Sequence, residues 1–168
     1  GELEVSGATG SPVVFTSIYN DSVGGDTNSD GNATLPSPYD GGGIVVEGGA
    51  ASINMDHARF TYGAGVTAVG SEVNMQTTEF FEVENGLIIS DGTDALLQDV
   101  GFEQVWDTAI LAFDSSLVLN EIEIQSSADS GLIISDSVLR IDEMSVRVTE
   151  DAAAMDIYND YSPVDVEI

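Results

Sequence analysis

The stretch Asp26-Thr27-Asn28-Ser29-Asp30-Gly31 puts oxygen-bearing side chains at alternate positions and then a glycine. That order matches the first half of a Ca²⁺ loop of Asp-x-Asn-x-Asp-Gly type, in which short oxygen arms fold back onto one hard cation at about 2.4 Å. The second half departs from the helix-flanked version, because the twelfth position is Ser37 and not a bidentate Glu. Asp21 and Asp40 flank the stretch and are the carboxylates available to complete the shell. The candidate metal site is therefore Asp21, Asp26, Asn28, Asp30 and Asp40, with Ca²⁺ as the cofactor. The same residue types are ordinary turn formers, so a flexible polar insertion is the competing reading. The segment from Asn20 to Gly42 is long for a loop without structure of its own, and a bound cation gives it a reason to be ordered. Two Asn-x-Ser/Thr triplets, Asn20-Asp21-Ser22 and Asn32-Ala33-Thr34, fall in the same segment. Such triplets arise often by chance, but an exposed loop is where a glycan fits.

Other residues offer less. Asp91, Asp114 and Asp136 each follow a short apolar run and predict an axial row of carboxylates about 5 Å apart. An Asp that turns the corner in every coil explains the row more simply than acid/base work. The basic residues are Arg59, Arg140 and Arg147, with no Lys. A β-elimination site needs a base and a cationic group on the substrate carboxylate, and Arg59 and Arg140 are expected on different faces, four turns apart. His57 is the only histidine and Cys is absent, so a transition-metal site, a disulfide and a thiol nucleophile all lack their residues. His57 is expected at a corner beside Asp56. Trp106, Phe60, Phe80, Phe81, Phe102 and Phe113 read as core or ladder residues rather than a sugar platform.

The elements that must position these groups repeat. Gly-Leu-Ile-Ile-Ser-Asp occurs at 86–91 and again, unchanged, at 131–136. Degenerate copies start at 43, 65, 109 and 153, so the steps are 22, 21, 23, 22 and 22 residues. A near-constant period of this size means a solenoid. Each period holds a short apolar strand, a polar corner, a second alternating strand such as Glu72-Val73-Asn74-Met75, another corner, and a third strand such as Thr78-Glu79-Phe80. These patterns have period two, and none has a sustained 3.6-residue period of helical length. They predict an all-β right-handed parallel β-helix of about six turns, with axial files of inward residues such as Val73, Leu96, Leu117 and Leu139. Residues 1–42 form N-terminal strands and the Asp/Gly-rich loop, and residues 43–168 form the repeats, within a single domain. The closing stretch Val164-Asp165-Val166-Glu167-Ile168 reads as strand without a cap, which suits a piece of a longer protein or a unit meeting another end to end; the alternative is that residues 151–168, with Pro163, fold over the last turn.

Segment 43–150 resembles the β-helix repeats of microbial secreted and cell-surface proteins, with the pectate-lyase-like superfold behind them. The run Ser11 to Ser17, the loop Asp21 to Gly31 and the stretch Pro36 to Gly43 are similar to the opening segment of such proteins, although Tyr39-Asp40-Gly41-Gly42 stands where the familiar pattern has Gly-Asp-Trp. The resemblance implies the fold and a surface location; it says little about activity.

Charge narrows the setting. Thirty acidic residues against three basic ones leave a net charge of −27. Such a surface excludes a phosphate-backbone reader and disfavours anionic membrane surfaces, and the sequence has no run of about 18 apolar residues, so neither nucleic acid nor membrane insertion is expected. Self-repulsion of this size is relieved by molar salt, which screens charge within roughly 3 Å, or by bound divalent cations. Salt adaptation and a calcium-rich extracellular setting are the two readings, beside an acidic surface kept for solubility. The expectation is a non-catalytic structural or adhesive module of an extracellular or cell-surface protein. Its partners are neighbouring modules, identical copies end to end, or a surface glycan or protein. A fragment of a polysaccharide lyase or glycoside hydrolase and a subunit of a stacked filament are the alternatives.

Overall fold

The computed structural model describes residues 1–148, 153–158 and 166–167. All named strands pair in parallel. The first turn holds β1 (Glu2–Ser6), β2 (Val13–Thr16) and β3 (Ile44–Glu47), and the second holds β4 (Ser52–Asp56), β5 (Ala58–Thr61) and β6 (Val66–Val69). In the next three turns the equivalents of β4 and β5 fuse into one bent strand. These turns are β7 (Glu72–Phe81) with β8 (Leu87–Ser90), β9 (Asp94–Glu103) with β10 (Thr108–Phe113), and β11 (Ser116–Ser127) with β12 (Ser130–Ser135). The last strands are β13 (Val138–Ile141), β14 (Met144–Val148), β15 (Ala153–Tyr158) and β16 (Val166–Glu167). One wall is the six-stranded sheet β3-β6-β8-β10-β12-β15, and a ten-stranded sheet wraps the rest. Six strands on a wall make five steps, so the stack completes about five turns rather than six.

The period follows the repeats closely. Ile44, Val66, Leu87, Ile110, Leu132 and Met155 align across the wall, with a last step of 23 residues in place of the expected 22. One inward file runs Leu3, Ile53, Val73, Ala95, Leu117, Leu139. Ala95, not Leu96, occupies the fourth turn's place in it. Ala95 and Leu97 are buried and Leu96 is 45% exposed, because side chains alternate and only one of the two parities faces in. A second file is aromatic: Phe15, Phe60, Phe80 and Phe102 stack with centroids 4.7, 4.8 and 4.9 Å apart and planes within 9°. The strand spacing of about 4.8 Å sets this distance, so in-register rings are forced into parallel stacking.

Most corners of the stack hold a residue at positive φ. The first column is Gly48, Gly70, Asp91, Asp114 and Asp136; the second is His57, Thr77, Asp99 and Glu121; the third is Tyr62, Glu82 and Gln104. Asp and Asn tolerate this conformation better than most side chains, because their short polar arm can bond locally. The Asp91–Asp114–Asp136 row is thus a turning device, as the simpler reading expected. Inside the first corner sits a file of buried hydroxyls, Ser71, Thr93, Ser115 and Ser137. Thr93 Oγ1 donates to the Ser90 and Ala68 carbonyls, Ser115 Oγ to the Phe113 carbonyl and Ser137 Oγ to the Ser135 carbonyl. These bonds add to the backbone bonds that the Ser90 and Ser135 carbonyls already accept from the Gly70 and Asp114 N–H groups.

β16 adds to β13 through Leu139↔Val166 and Arg140↔Glu167, so those two residues do continue as strand. The expectations for Pro163, Val164-Asp165 and Ile168 lie outside the described residues.

Candidate metal centre

The insertion between β2 and β3 carries the calcium-type motif. Its start is anchored to the core: Asn20 is buried, and its Nδ2 donates to Thr16 Oγ1 at 2.9 Å. Thr61 Oγ1 donates to the same Thr16 oxygen at 2.8 Å, which ties the loop root to the second turn. Further out, Thr27 Oγ1 donates to the Ile18 carbonyl at 2.7 Å and folds the loop back on itself. Two successive Asp turns then coil it. Asp26 accepts the Asp30 and Gly31 N–H groups at 2.9 and 3.0 Å, and Asp30 accepts those of Ala33 and Thr34 at 3.0 and 2.9 Å. Ser29, Gly31 and Asn32 supply the left-handed residues, with φ of 61°, 65° and 69°.

The coil brings Asp21, Asp26 and Asp30 together, one carboxylate oxygen from each lying within 4.8 Å of the others. The Asn28 side chain hydrogen-bonds to Asp30. Its Oδ1 and the Oδ1 of Asp21 are buried and accept no hydrogen bond. Buried oxygen acceptors without donors are costly, and a cation is one partner that removes the cost. Three like charges this close repel by about 1 kcal/mol per pair even in water. The ion pairs among the described residues are Arg59–Glu79 and His57–Asp56, and neither reaches this cluster. Asp30 is held ionised below its ordinary range, first by the Thr34 hydroxyl and then by the Ala33 and Thr34 amides and Asn28, against a desolvation penalty. An ionised carboxylate is the form a hard cation needs. Three carboxylates and one amide oxygen, on short arms, are the donor chemistry of Ca²⁺ rather than of a softer metal.

Asp40, the fifth expected ligand, stands outside this group. Its Oδ2 accepts the Ser37 N–H at 2.6 Å and closes its own turn. Of the two sequons, Asn20 is buried with its amide committed, and Asn32 is exposed.

The chain matches no known family, curated protein or solved structure. The remaining candidate residues must be judged on geometry alone. Arg59 lies in β5, 3.5 Å from Glu79 and with its guanidinium 5.5 Å over Phe81. Arg140 in β13 and Arg147 in β14 are each four strand steps further along the stack, about 19 Å at the usual spacing. His57 sits at its corner with Nδ1 2.7 Å from Asp56 Oδ1 and Nε2 3.0 Å from Thr9 Oγ1.

Three aromatics depart from the core reading. Trp106 is 54% and Phe113 42% exposed, and Phe81 is half-buried beneath Arg59 on the outer surface. Each falls on the outward parity, next to an inward Val105, Ala112 or Phe80. Two further features are absent from the sequence reading altogether: the contact of Tyr39 with Trp106, and the crowding of Asp107 with Asp129 and Glu84. Only a spacing of 22 residues between Asp107 and Asp129, equal to the repeat, signals the second.

Proposed function

We propose that the protein is a non-catalytic structural or adhesive β-helix module of an extracellular or cell-surface protein, salt-adapted by its acidic faces and pinned by Ca²⁺ at its loop. The observation that carries the reading is the convergence of Asp21, Asp26 and Asp30, with buried, unpartnered oxygens on Asp21 and Asn28. A cation there rigidifies the long insertion between β2 and β3. The parallel core supplies a stiff rod, in which each turn is held by its neighbours. The separation of Arg59 from Arg140 and Arg147 by four strand steps supports a passive role over a lyase, whose base and charge-neutralising group must meet on one substrate.

A filament subunit is the second reading, and the first turn favours it. β1, β2 and β3 each pair on one side only, which leaves strand edges open to a partner. Inward Leu3, Phe15, Ile44 and Val46 are only half-buried there. Neighbouring modules or identical copies placed end to end are the partners that such edges accept. Sedimentation of the purified chain against concentration separates the two readings.

Calorimetric titration with Ca²⁺ in low salt, paired with melting curves, tests the metal. Ca²⁺ at about a hundred times its Kd stabilises by about 2.7 kcal/mol. The Ca²⁺-induced rise in melting temperature is expected to vanish in Asp26→Ala plus Asp30→Ala and to persist in Asp40→Ala. No heat of binding, or an undiminished rise in the double variant, overturns the site.

A further inference from the structure

The insertion loop ends against the corner at Tyr62. The Gly41 N–H donates to the Tyr62 carbonyl at 2.7 Å, and Gly41 bridges to Gly63. This approach needs glycines: a Cβ on Gly41 would lie 2.5 Å from the Tyr62 oxygen, and one on Gly63 2.9 Å from the Gly42 oxygen. Docked here, the loop sends Tyr39 along the stack to Trp106, two turns on from Tyr62. Their rings meet edge to face, with centroids 6.1 Å apart and planes at 71°. Both stay more than half exposed, at 57% and 54%. An edge-to-face pair of large aromatics left in water is unusual, because such rings normally bury.

Polar groups of three successive turns stand beside the pair. Glu84 and Asn85 precede Asp107, which follows Trp106 in the chain, and Asp129 comes one turn later. Backbone bonds fix the file: Asp107 N–H to the Glu84 carbonyl at 2.9 Å, and Asp129 N–H to the Asp107 carbonyl at 3.1 Å. Burial, and then a hydrogen bond and charge from Asp129, push the Asp107 carboxyl up, and the Asn85 side chain hydrogen-bonds to it.

We infer that the Tyr39–Trp106 corner, with Asn85, Asp107 and Asp129 beside it, binds a neutral hexose unit of a glycan. The negative face of an aromatic ring attracts the weakly positive C–H face of a pyranose, and the adjacent carboxylates and amide meet its hydroxyls. Two rings match one sugar in size; they are far short of the roughly 800 Å² per partner of a stable protein interface. A net charge of −27 repels uronic-acid or sulfated polymers, which leaves neutral chains. The inference rests on the adhesive reading above and names its ligand.

The test titrates the whole chain with cellohexaose, laminarihexaose and mannohexaose, with hexagalacturonate as the anionic control. Trp106 is the only tryptophan, so its fluorescence reports the site directly. The expected result is a saturable change with at least one neutral hexaose, and binding at least tenfold weaker for hexagalacturonate. Tyr39→Ala is expected to weaken that binding at least tenfold, and Trp106→Ala to do the same by affinity electrophoresis. Phe113→Ala, an exposed aromatic elsewhere, leaves it unchanged. Tyr39→Phe, which keeps the ring, retains binding and guards against a folding artefact. Failure of all three neutral hexaoses, equal binding of hexagalacturonate, or binding indifferent to both alanine variants overturns the inference. Ca²⁺ calorimetry on the same samples shows whether the module reading fails with it or stands alone.

Discussion

Replacing Phe80 by Ala tests the stacked core where it is most constrained. Phe80 is 1% exposed and lies between Phe60 at 4.8 Å and Phe102 at 4.9 Å, with planes 9° and 6° apart. Deleting a buried Phe side chain costs about 3–5 kcal/mol, and here two ring contacts of about 0.5–1.5 kcal/mol each vanish with it. The rigid spacing of the strands keeps neighbouring turns from closing the void, which places Phe80→Ala at the upper end, about 4–5 kcal/mol. Phe15 ends the same file, half-buried and with one ring partner. Its replacement therefore costs about 2 kcal/mol. Urea unfolding at fixed NaCl and Ca²⁺ measures both, read by Trp106 fluorescence and by circular dichroism so that coincident transitions justify the free energies. A Phe15→Ala cost equal to that of Phe80→Ala, or a Phe80→Ala cost below about 2 kcal/mol, refutes the continuous aromatic file.

Two glycines make an opposed pair. A Cβ on Gly86 would lie 2.3 Å from the Ala109 oxygen and 2.5 Å from the Phe102 ring, so Gly86→Ala destabilises by about 2–3 kcal/mol in the same urea assay. Gly101→Ala meets open space and is neutral or stabilising by up to about 1 kcal/mol. The pH dependence follows from Asp107. Its carboxyl is raised above its ordinary value of 3.8, so the folded chain binds the proton more tightly than the unfolded one. Stability from this group is present in acid and is lost as pH climbs through the raised value; melting curves across that window should show a slope that Asp107→Asn flattens. Asp30 acts in the opposite sense, because its pKa is lowered: its contribution is present above 3.8 and is lost as pH falls through the lowered value.

The repeat was readable because the chain restates one stretch, Gly-Leu-Ile-Ile-Ser-Asp, at positions that the stack places on the same wall. The register of β9 was not, since Ala95-Leu96-Leu97 is apolar at both parities and a one-residue slip exchanges the faces. Trp106 and Phe113 misled for a related reason: hydrophobicity alone does not say which way a side chain points at a strand end or corner. In the loop, the approach of Asp26 to Asp30 followed from their spacing, because local turns bring near neighbours together, whereas Asp21 was offered only as a flanking carboxylate. Asp40 was not separable from them, as its turn with Ser37 depends on the path of the chain back to Gly41. The Tyr39–Trp106 contact joins residues 67 positions apart and leaves no local signature.

The parallel stack itself is tested most directly by distances along one outward column, Glu4, Asn54, Asn74, Leu96, Val118 and Arg140. The chain has no cysteine, so pairs of introduced cysteines can be spin-labelled cleanly. With one label at Glu4, partners at Leu96, Val118 and Arg140 stand three, four and five strand steps away, about 14, 19 and 24 Å at 4.8 Å per step. Pulsed electron–electron resonance is expected to show the distance growing by about 5 Å for each 22 residues; distances that fail to rise in that order, or that jump by far more per repeat, contradict the solenoid.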